Sequence, residues 1–518
     1  MAISTKQTDV LIVGAGPTGL SLACQLTRYG IDFIIIDKSE GVTAYSKALG
    51  VHARTLEIYQ QLGLAEYAVA QGTIAGKVRM LAGGKVRGEM NLSSIGQGMS
   101  PYPFMLVLEQ SRNERLLYDY MQAHGKDVLW QTELQSLTQT ETQVTATVNT
   151  ANGESSIIHS QYLVGCDGPK SPVRHGLGLA FEGSTFERLF HVADVEMHWP
   201  FSHDALHLCP TPNSFVAFFP MLGTNSYRII GAFPAGFNQD EGETPYAEIE
   251  QHIKQESQIA LEISKVNWFS TYKVHTRHAE NFSLGRCFLA GDAAHIHTPA
   301  GGQGMNTGIQ DAYNLAWKLA FVLQGKADAK ILESYNAERL PNAVRLLKTT
   351  DRMFNLMAGS NRWVNFIRNM IFPFLAGFLT SLHSVKKRLF PILSQIGISY
   401  RESTLINQTA DHAFTVKAGD RMPYFLVDGM SIYNKLREPK FHLITFNKVT
   451  QTAREEIERS YANMLDYLEL PLSPNVEKIF GTDKPFSVLL RPDNHIGAIS
   501  QEVSLNLVKT YFTTCLGK

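Results

Sequence analysis

The stretch Asp9-Val-Leu-Ile-Val-Gly-Ala-Gly-Pro-Thr-Gly19 decides the fold, and an apolar helical pattern follows it directly. The apolar run at residues 9–13 is typical of a buried parallel strand, and the glycine-rich turn follows that strand. Gly30 is a suitable C-cap for the helix, and residues 32–37 (DFIIID) predict a second strand. This order predicts a right-handed βαβ unit within a doubly wound α/β sheet.

The three glycines of this turn have different physical roles. Gly14 permits the tight turn, Gly16 lets the backbone approach a pyrophosphate, and Gly19 lets the helix pack closely on the sheet. Asp37 ends the second strand 23 positions after Gly14, where a carboxylate is expected to hold a ribose hydroxyl. The segment therefore predicts a dinucleotide site, with the pyrophosphate at the helix N-terminus.

A second glycine-rich segment runs from Cys287 to Asn306 and leads into another helix. Asp292 follows a short buried strand, so its carboxylate is well placed to bind a polyol chain. The glycines at 301, 302 and 304 allow the backbone to approach a ligand closely. The N–H groups at residues 304–306 open the helix and can stabilise negative charge on a bound ring.

Composition excludes several classes of protein. The 518 residues include 47 Lys plus Arg and 48 Asp plus Glu, so the net charge of −1 argues against nucleic-acid binding. None of the five cysteines forms a C-x-x-C pair, and His295 and His297 have no third group at metal-ligand spacing, so we expect neither disulfides nor a metal. The polar N-terminus leaves no room for a signal peptide, so a cytoplasmic location is expected.

Changes of pattern along the chain predict five regions. Residues 1–180 read as the first part of a dinucleotide domain with short inserted strands at 76–104, and residues 280–350 as its second part. Alternating strands between them predict a β-sheet substrate domain at 181–279. A helical connector at 351–400 and a small α/β domain at 415–518 complete the chain.

Three motifs in this order resemble the class A flavoprotein monooxygenases, which share the para-hydroxybenzoate hydroxylase fold. They are GAGPTG at 14–19, the Asp-Gly pair at 167–168 and AGDAAHIHTPAGGQGMNTGIQDAYNLAWKLA at 290–320. The resemblance covers residues 8–345 and implies a Rossmann-type FAD-binding domain with an inserted substrate domain. Residues 415–518 are similar to the thioredoxin-like tail of the phenol hydroxylase and aromatic polyketide hydroxylase branch. This tail has no C-x-x-C, which argues against dithiol redox chemistry.

The resemblance also implies a reaction. Bound FAD would accept hydride from NADPH or NADH, react with O2 to give a C4a-hydroperoxyflavin, and hydroxylate a small phenolic or polyketide-like aromatic molecule. Two alternatives stay open, namely a Baeyer–Villiger or epoxidising oxygenase of the same fold and a non-catalytic flavin-binding protein.

The residues implied to bind FAD occupy matching positions in these motifs and in the segments between them. They are Gly14, Gly16, Pro17, Thr18, Gly19, Asp37, Lys38, Lys47, Gln110, Asp167, Gly291, Asp292, Gly302, Gly304, Met305 and Asn306. The family usually has arginine where this chain has Lys47, so a point charge replaces a bidentate phosphate contact and weaker binding is expected. Lys170 and Arg174 are the cations expected to contact a nucleotide phosphate.

For catalysis, the resemblance implies that Pro299 lies over the reacting face of the flavin ring. Four residues are candidates by type for proton transfer, although each is also typical of a structural side chain: His52, Arg54, His207 and Tyr227. The apolar strands predict a broad pocket for a flat ligand. Its predicted lining residues are Phe218, Phe219, Met221 and Tyr227.

The Phe-rich stretch at 366–382, followed by Lys386-Lys-Arg388, has two interpretations. It can make a peripheral membrane contact, or it can pack against the tail or against a second copy. A monomer or a homodimer is therefore expected.

Overall fold

The computed structural model describes residues 4–44, 48–211, 215–233, 244–358, 383–407, 413–446, 451–501 and 505–518. The strands up to residue 165 are β1 (Ser4–Val13), β2 (Phe33–Ile36), β3 (Gly50–Val51), β4 (Thr73–Ala75), β5 (Lys77–Ala82), β6 (Lys85–Asn91), β7 (Met105–Val107), β8 (Val128–Leu129), β9 (Glu133–Gln139), β10 (Val144–Asn149) and β11 (Ser155–Gly165). The later strands are β12 (Phe181–His198), β13 (Ala205–Pro210), β14 (Phe215–Pro220), β15 (Ser226–Ala232), β16 (Glu262–Ala279), β17 (Ser283–Leu284), β18 (Cys287–Leu289), β19 (His295–Ile296), β20 (Leu426–Val427), β21 (Met430–Ser431), β22 (Phe441–Phe446), β23 (Leu465–Leu470), β24 (Phe486–Leu490) and β25 (Ile496–Ser500).

Helices connect and cover these strands. They are α1 (Pro17–Tyr29), α2 (Ala53–Gln61), α3 (Ala65–Ala70), α4 (Leu92–Ile95), α5 (Gln110–Ala123), α6 (Pro172–Gly176), α7 (Tyr246–Ser257), α8 (Gly304–Leu323), α9 (Glu333–Ala358), α10 (His383–Leu393), α11 (Gln451–Tyr461), α12 (Pro474–Phe480) and α13 (Leu505–Tyr511). No helix within the described ranges combines the length and apolarity needed to cross a bilayer. The predicted membrane-contact stretch at 366–382 lies entirely in the range 359–382, outside the described residues.

The first sheet has a parallel centre in the order β18-β11-β1-β2-β8, with β9, β10 and β17 added in antiparallel pairs. Its central strands are continuous apolar runs because both faces are covered. Val10, Leu11 and Ile12 of β1 are fully buried. The predicted Rossmann-type sheet is confirmed.

The second sheet has the strand order β19-β16-β12-β15-β14-β13-β5-β6. The predicted inserted β-sheet is therefore present, but it is larger than the sequence suggested. The sequence assigned the strands at 76–104 to the first domain, whereas β5 pairs with β13 in parallel and extends the second sheet. Short inserted strands carry no local signal of which sheet they will join.

The C-terminal sheet has the order β23-β22-β24-β25, with β22 and β23 parallel and the other neighbours antiparallel. Buried charges join this tail to α8 and α9. Arg491 donates to the two carboxylate oxygens of Glu338 at 2.6 and 2.9 Å, and Lys318 donates to Glu338 at 2.8 Å. Arg491 also bonds Asp493, so each buried charge in this network has an opposite partner.

Candidate active site

The turn after β1 brings α1 into close contact with the sheet. A Cβ atom at Gly19 would lie 1.9 Å from the carbonyl oxygen of Gly14, so only glycine fits there. Gly16 precedes α1 without a side-chain cap, and Pro17 stands at the start of the helix. A Cβ at Gly16 would meet no atom within 4 Å. The N-terminus of α1 therefore faces open space, as an anion site requires.

Asp37 follows β2 directly and lies beside this turn. Its Oδ2 accepts a hydrogen bond from the Ala15 N–H at 2.6 Å, and its Oδ1 accepts one from the Ser39 N–H at 2.8 Å. The Asp37 side chain is half-buried, and the neighbouring Lys38 is exposed. The structure thus brings the predicted carboxylate to the edge of the glycine-rich turn.

Thr18 joins the first motif to the third. A Cβ at Gly291 would lie 2.4 Å from Thr18 Oγ1, and a Cβ at Gly308 would lie 2.3 Å from the same atom. Gly291 has a φ of 62° and begins a short 3₁₀ turn that includes the exposed Asp292. The first turns of α1 and α8 therefore pack against one segment.

Asp311 of α8 holds that segment from the buried side. Its Oδ2 accepts hydrogen bonds from the Gly291 N–H at 3.0 Å and from His295 Nε2 at 2.7 Å, and its Oδ1 accepts one from Arg339 Nε at 2.6 Å. Burial opposes ionisation here, but Arg339 and His295 hold the pKa of Asp311 below its ordinary value. His295 is thus engaged by a buried carboxylate.

Asn306 lies in the first turn of α8, and its side-chain amide is used within the protein. Its Nδ2 donates to the carbonyl oxygens of Gly50 and Gly302 at 2.8 and 2.9 Å. Its Oδ1 accepts from the His52 N–H at 2.9 Å and from the Thr55 hydroxyl at 2.8 Å. Asn306 therefore fixes the shape of the loop that precedes α8.

His52 also fixes this loop. Its Nε2 lies 2.9 Å from the Gly301 carbonyl oxygen and 3.2 Å from that of Gly302, and burial lowers the pKa of His52 to about 4. A neutral ring that donates from Nε2 to a carbonyl has no lone pair on that nitrogen for a substrate proton. His52 thus fixes the loop through Nε2, and its predicted catalytic role stays a prediction.

Arg54, the other side chain predicted as catalytic, is 2% exposed. Its guanidinium donates to Glu57 at 3.2 Å and to the carbonyl oxygen of Asp493 in the tail at 2.8 Å. Arg421 of the tail donates to the same Glu57 at 3.0 Å. The structure therefore places Arg54 between α2 and the tail instead of against a substrate, and this distant partner could not be read from the sequence around position 54.

Gln110 begins α5 and exchanges hydrogen bonds with Ala48. The Gln110 N–H donates to the Ala48 carbonyl oxygen at 3.1 Å, and Gln110 Oε1 accepts from the Ala48 N–H at 3.1 Å. Met305 Sδ accepts from Asn113 Nδ2 at 3.4 Å, which links α8 to α5. The starts of α5 and α8 and the segment at residue 48 thus meet, while Lys47 lies outside the described residues.

Asp167 follows β11 and lies against the first glycine-rich turn, because a Cβ at Gly14 would be 2.9 Å from Asp167 Cα. Its Oδ2 accepts from the Val173 N–H at 3.0 Å. Its Oδ1 is buried and has no hydrogen-bond partner in the part of the chain that the structure describes. Burial raises the pKa of Asp167 above its ordinary value.

Arg174, predicted to contact a nucleotide phosphate, is buried behind this turn. It donates to the carbonyl oxygens of Ala293 and Pro169 at 2.9 and 2.8 Å, and its guanidinium carbon lies 3.9 Å from the centroid of the Phe181 ring. Arg174 therefore ties the second motif to the third, which corrects the phosphate-contact prediction for this residue. Lys170 is exposed.

Alternating side chains of β14 and β15 point to opposite faces of the second sheet. Phe218 and Tyr227 pack with Trp199, at ring-centroid distances of 4.7 and 5.1 Å, in the cluster that contains Ile249 of α7. His207 pairs with Phe218 on this face, and burial lowers the pKa of His207 to about 4. These residues belong to the packing beneath α7.

Phe219 and Met221 occupy the other face, where they pack with Leu49 and Met105. A Cβ at Gly302 would lie 3.5 Å from Met105 Cε, so this cluster adjoins the loop before α8. The four residues predicted to line one pocket therefore lie on two faces of the sheet, Phe218 and Tyr227 on one and Phe219 and Met221 on the other. The reason is the two-residue period of a strand, which sends adjacent side chains to opposite faces.

The same face carries a buried ion pair that the sequence analysis missed. Arg228 on β15 and Asp194 on β12 are directly opposite, with Nε–Oδ1 and Nη2–Oδ2 distances of 2.6 and 2.7 Å. Arg228 also lies opposite Phe219, and Trp268 lies opposite Asp194. Two polar residues 34 positions apart in sequence give no local pattern, so strand pairing alone reveals them.

The loop before α8 contains further polar atoms. Pro299 is half-buried and immediately precedes a 3₁₀ turn at Ala300–Gly302. His297 Nδ1 bonds to the Thr298 carbonyl oxygen at 2.6 Å, and burial lowers the pKa of His297 to about 4. Among the described residues, His297 Nε2 and the Thr298 hydroxyl are buried without a hydrogen-bond partner.

These features fit an extended dinucleotide cofactor that carries a ring system. The uncapped end of α1 suits a pyrophosphate, and Asp37 lies at its side. The buried, unpartnered Asp167 Oδ1 lies near the same turn. At the N-terminal end of α8, Gly302, Gly304 and Met305 are partly exposed. The Gly302 N–H donates to the Pro299 carbonyl oxygen at 3.0 Å, so the N–H groups suited to a ligand are those of the first turn of α8.

Comparison with known proteins agrees with this fit. A family model described as "FAD binding domain" matches residues 7–350. A 6-methylpretetramide 4-monooxygenase from Streptomyces rimosus is 36% identical over 417 residues, which cover 79% of this chain and 73% of the relative. A flavin-dependent monooxygenase from Mycobacteroides abscessus is 31% identical over 512 residues, which cover 95% of this chain and 97% of the relative.

The solved structure of the OxyS anhydrotetracycline hydroxylase from Streptomyces rimosus is similar along its whole length. It has a TM-score of 0.79 and 27% identity, with 99% of both chains covered. The family model matches more than half of the chain, and two relatives are more than 30% identical over most of it, so the family is shown. The chain belongs to the FAD-binding-domain family of class A flavoprotein monooxygenases and is an FAD-dependent monooxygenase.

Proposed function

We propose that this protein hydroxylates a flat aromatic small molecule, phenolic or polyketide-like, with NADPH or NADH and O2 as co-substrates. The observation that carries the proposal is the face of the second sheet beside the α8 loop. There Phe219, Met221 and Met105 provide apolar surface, and the Arg228–Asp194 ion pair is the polar feature beside them. Such a surface is suited to a flat apolar ligand with a single polar substituent. The 6-methylpretetramide and anhydrotetracycline enzymes compared above support the same substrate class.

The cofactor would lie across both glycine-rich motifs. We place its pyrophosphate at the first turn of α1, with Gly14, Gly16, Pro17, Thr18 and Gly19. Asp37 would hold the adenosine ribose with Lys38 beside it, Gln110 and Asp292 would lie near the ribityl chain, and Asp167 and Gly291 would border the pyrophosphate side. Gly304 and Met305 would support the flavin ring through backbone N–H groups, Gly302 would let the loop approach the ring closely, and Asn306 would fix the loop.

Bound FAD would supply hydride acceptance and the transfer of one oxygen atom from O2 to the substrate. The protein would supply orientation and a dry site. Met105, Phe219 and Met221 would exclude water from the reacting ring, and Pro299 would cover one side of it. The α8 N-terminus would stabilise negative charge there. Arg228 would hydrogen-bond a substrate oxygen while Asp194 keeps its guanidinium in place.

The test starts with the visible spectrum of the purified protein and an anaerobic addition of NADPH and then of NADH. We expect flavin absorption bands that bleach with one of the two nucleotides. With air present, a phenolic or polyketide ligand should accelerate nucleotide oxidation and should gain the mass of one oxygen atom. A protein that binds no added FAD would refute the cofactor placement. Bleaching without any oxygenated product across a broad aromatic panel would refute the substrate class.

Oxygen insertion into a ring ketone or across a double bond would give the same gain of mass. Tandem mass spectrometry and NMR of the product therefore distinguish hydroxylation from Baeyer–Villiger or epoxide chemistry.

We further propose the domain division 1–180, 181–279, 280–350, 351–400 and 415–518, with β5 and β6 counted in the substrate sheet. A thioredoxin-like identity for the tail is supported by its strand order, in which a parallel pair is followed by two antiparallel strands. A cytoplasmic monomer or homodimer, free to contact a membrane surface, is a proposal from sequence. Cell fractionation and light scattering test it.

A further inference from the structure

Three consecutive residues after α10 bond to three different parts of the molecule. The Ser394 carbonyl oxygen accepts from the Arg54 N–H at the start of α2, at 3.3 Å. The Gln395 side chain bonds to α8, and the Ile396 carbonyl oxygen accepts from Arg421 Nε of the tail at 3.2 Å. This short segment is therefore the meeting point of α2, α8 and the tail.

Gln395 makes the most specific of these contacts. Its Nε2 donates to the Thr307 hydroxyl at 3.0 Å and to the Gln303 carbonyl oxygen at 3.4 Å. Its Oε1 accepts from Gln310 Nε2 at 2.7 Å. Gln395 is 5% exposed, and its three partners are 3% exposed. One buried amide thus bonds to three positions along the first two turns of α8.

The backbone of Gln395 follows from its place just after the end of α10. Its φ is 60°, the left-handed conformation that commonly ends a helix. The exposed Gln258 has a φ of 53° at the end of α7, so the conformation by itself does not distinguish Gln395. What distinguishes Gln395 is the set of buried hydrogen bonds that its side-chain amide makes to the start of α8.

The first turn of α8 is consequently held from two sides. Asn306 is bonded by the residues around β3 and α2, and Thr307 and Gln303 are bonded by Gln395. Gly304 and Met305 lie between these supports in the sequence and are partly exposed.

We propose that Gln395 is a positioning residue for the FAD-dependent reaction. It orients the N-terminal turn of α8, and with it the N–H groups that face the flavin ring, without touching the cofactor itself. The inference rests on the proposed placement of the flavin ring at this helix end. It also means that the tail and the loop before α8 are coupled through residues 394–396.

Two substitutions test the role. Gln395→Ala removes all three hydrogen bonds. Gln395→Glu keeps the shape, but its ionised form cannot donate to Thr307 or Gln303, whereas its protonated form can donate once. The matched control is Gln258→Ala, since Gln258 has a similar φ of 53° but is exposed at the end of α7, in the second domain.

We expect Gln395→Ala to accelerate amide hydrogen exchange at residues 303–310 and to weaken FAD binding to the apoprotein. At saturating FAD, turnover should fall by up to about 10²-fold, as expected for a small displacement of a reacting group, with more NADPH consumed per product formed. Gln395→Glu should recover tight FAD binding and coupling as the pH is lowered. Gln258→Ala should behave as the wild type in each assay.

Three outcomes would overturn the inference. The first is amide hydrogen exchange at residues 303–310 that is unchanged in Gln395→Ala. The second is a Gln395→Ala protein that unfolds at a lower midpoint but, at saturating FAD, consumes no more NADPH per product than the wild type. The third is an equal effect of the Gln395→Ala and Gln258→Ala substitutions. A wild-type protein that neither binds FAD nor consumes NADPH would instead refute the proposed function. The exchange data would still report whether Gln395 holds α8.

Discussion

The hydroxyl of Thr18 lies directly against Gly308, so that a methyl group at position 308 would stand 2.3 Å from Thr18 Oγ1. This contact joins the N-terminal turns of α1 and α8. We therefore expect Gly308→Ala to separate the two turns, to cost about 1–3 kcal/mol of unfolding free energy as overpacking does, and to weaken FAD binding measured by fluorescence titration.

The expected rescue makes this prediction specific. Thr18→Ala in the Gly308→Ala background removes the atom that clashes and should restore much of the FAD affinity. Gly41→Ala is the control, because a Cβ there would meet nothing within 4 Å. Failure of the double variant to improve on Gly308→Ala would contradict the contact.

Two adjacent phenylalanines give a paired prediction. Phe218 is fully buried beneath α7, so Phe218→Ala should cost about 3–5 kcal/mol in urea unfolding and leave KM for the aromatic substrate nearly unchanged. Phe219 faces the α8 loop, so Phe219→Ala should chiefly raise KM and increase the NADPH consumed without product. Steady-state kinetics and product quantification check both, and a raised KM in the Phe218 variant alone would reverse our assignment of the faces.

Breaking the Arg228–Asp194 pair should be costly because Arg228 is fully buried and Asp194 is only 13% exposed, so removing either group takes away the opposite charge that the other faces. We expect Asp194→Asn or Arg228→Met to lower the unfolding free energy by about 3–5 kcal/mol. The double variant Arg228→Met/Asp194→Leu should regain stability but not turnover, since the polar group offered to the substrate is gone. Lys265→Met, which breaks the exposed pair between Lys265 on β16 and Glu196 on β12, should cost less than about 1 kcal/mol.

The buried ring of His52 predicts a pH dependence. Its pKa is lowered from 6.5 to about 4, so the unfolded chain takes up a proton there at a higher pH than the folded protein does. The contribution of the neutral His52 ring to the free energy of unfolding is therefore fully present above pH 6.5 and is lost as the pH falls from 6.5 to 4. The total loss is at most about 3 kcal/mol.

Urea unfolding at pH 7 and pH 5 tests this prediction. His52→Gln can still donate to the loop carbonyls but cannot titrate, so its stability should change less between the two pH values than that of the wild type. His124→Gln, at the exposed end of α5, should retain the wild-type pH response. An identical response in all three proteins would show that His52 does not carry the effect.

The parts of the site that sequence predicts are those encoded locally. The Gly14–Gly19 turn and Asp37 are fixed by the spacing of one βαβ unit, and the structure places them together. The roles of His52 and Arg54 were not visible in this way, because their partners are a loop about 250 residues later and the tail. For Phe218 and Phe219, alternation shows that the two residues face opposite ways, but only strand pairing shows which one faces the loop. Gln395 follows a helix end and has no motif at all.

The Arg491–Glu338–Lys318 network bears on how this protein can be recombined with its relatives. α8 begins directly after the loop at residues 297–303 and carries Lys318 further along, so one helix connects this loop to the charged network of the tail. In a chimera that exchanges only the region after residue 400, Glu338 and Lys318 would contact the tail of a relative. The residues of that tail evolved beside different charged partners. If the crossover point lies before α8, then Lys318, Glu338 and Arg491 all come from the same parent protein. Libraries built in that way should yield folded hybrids more often than simple tail exchanges.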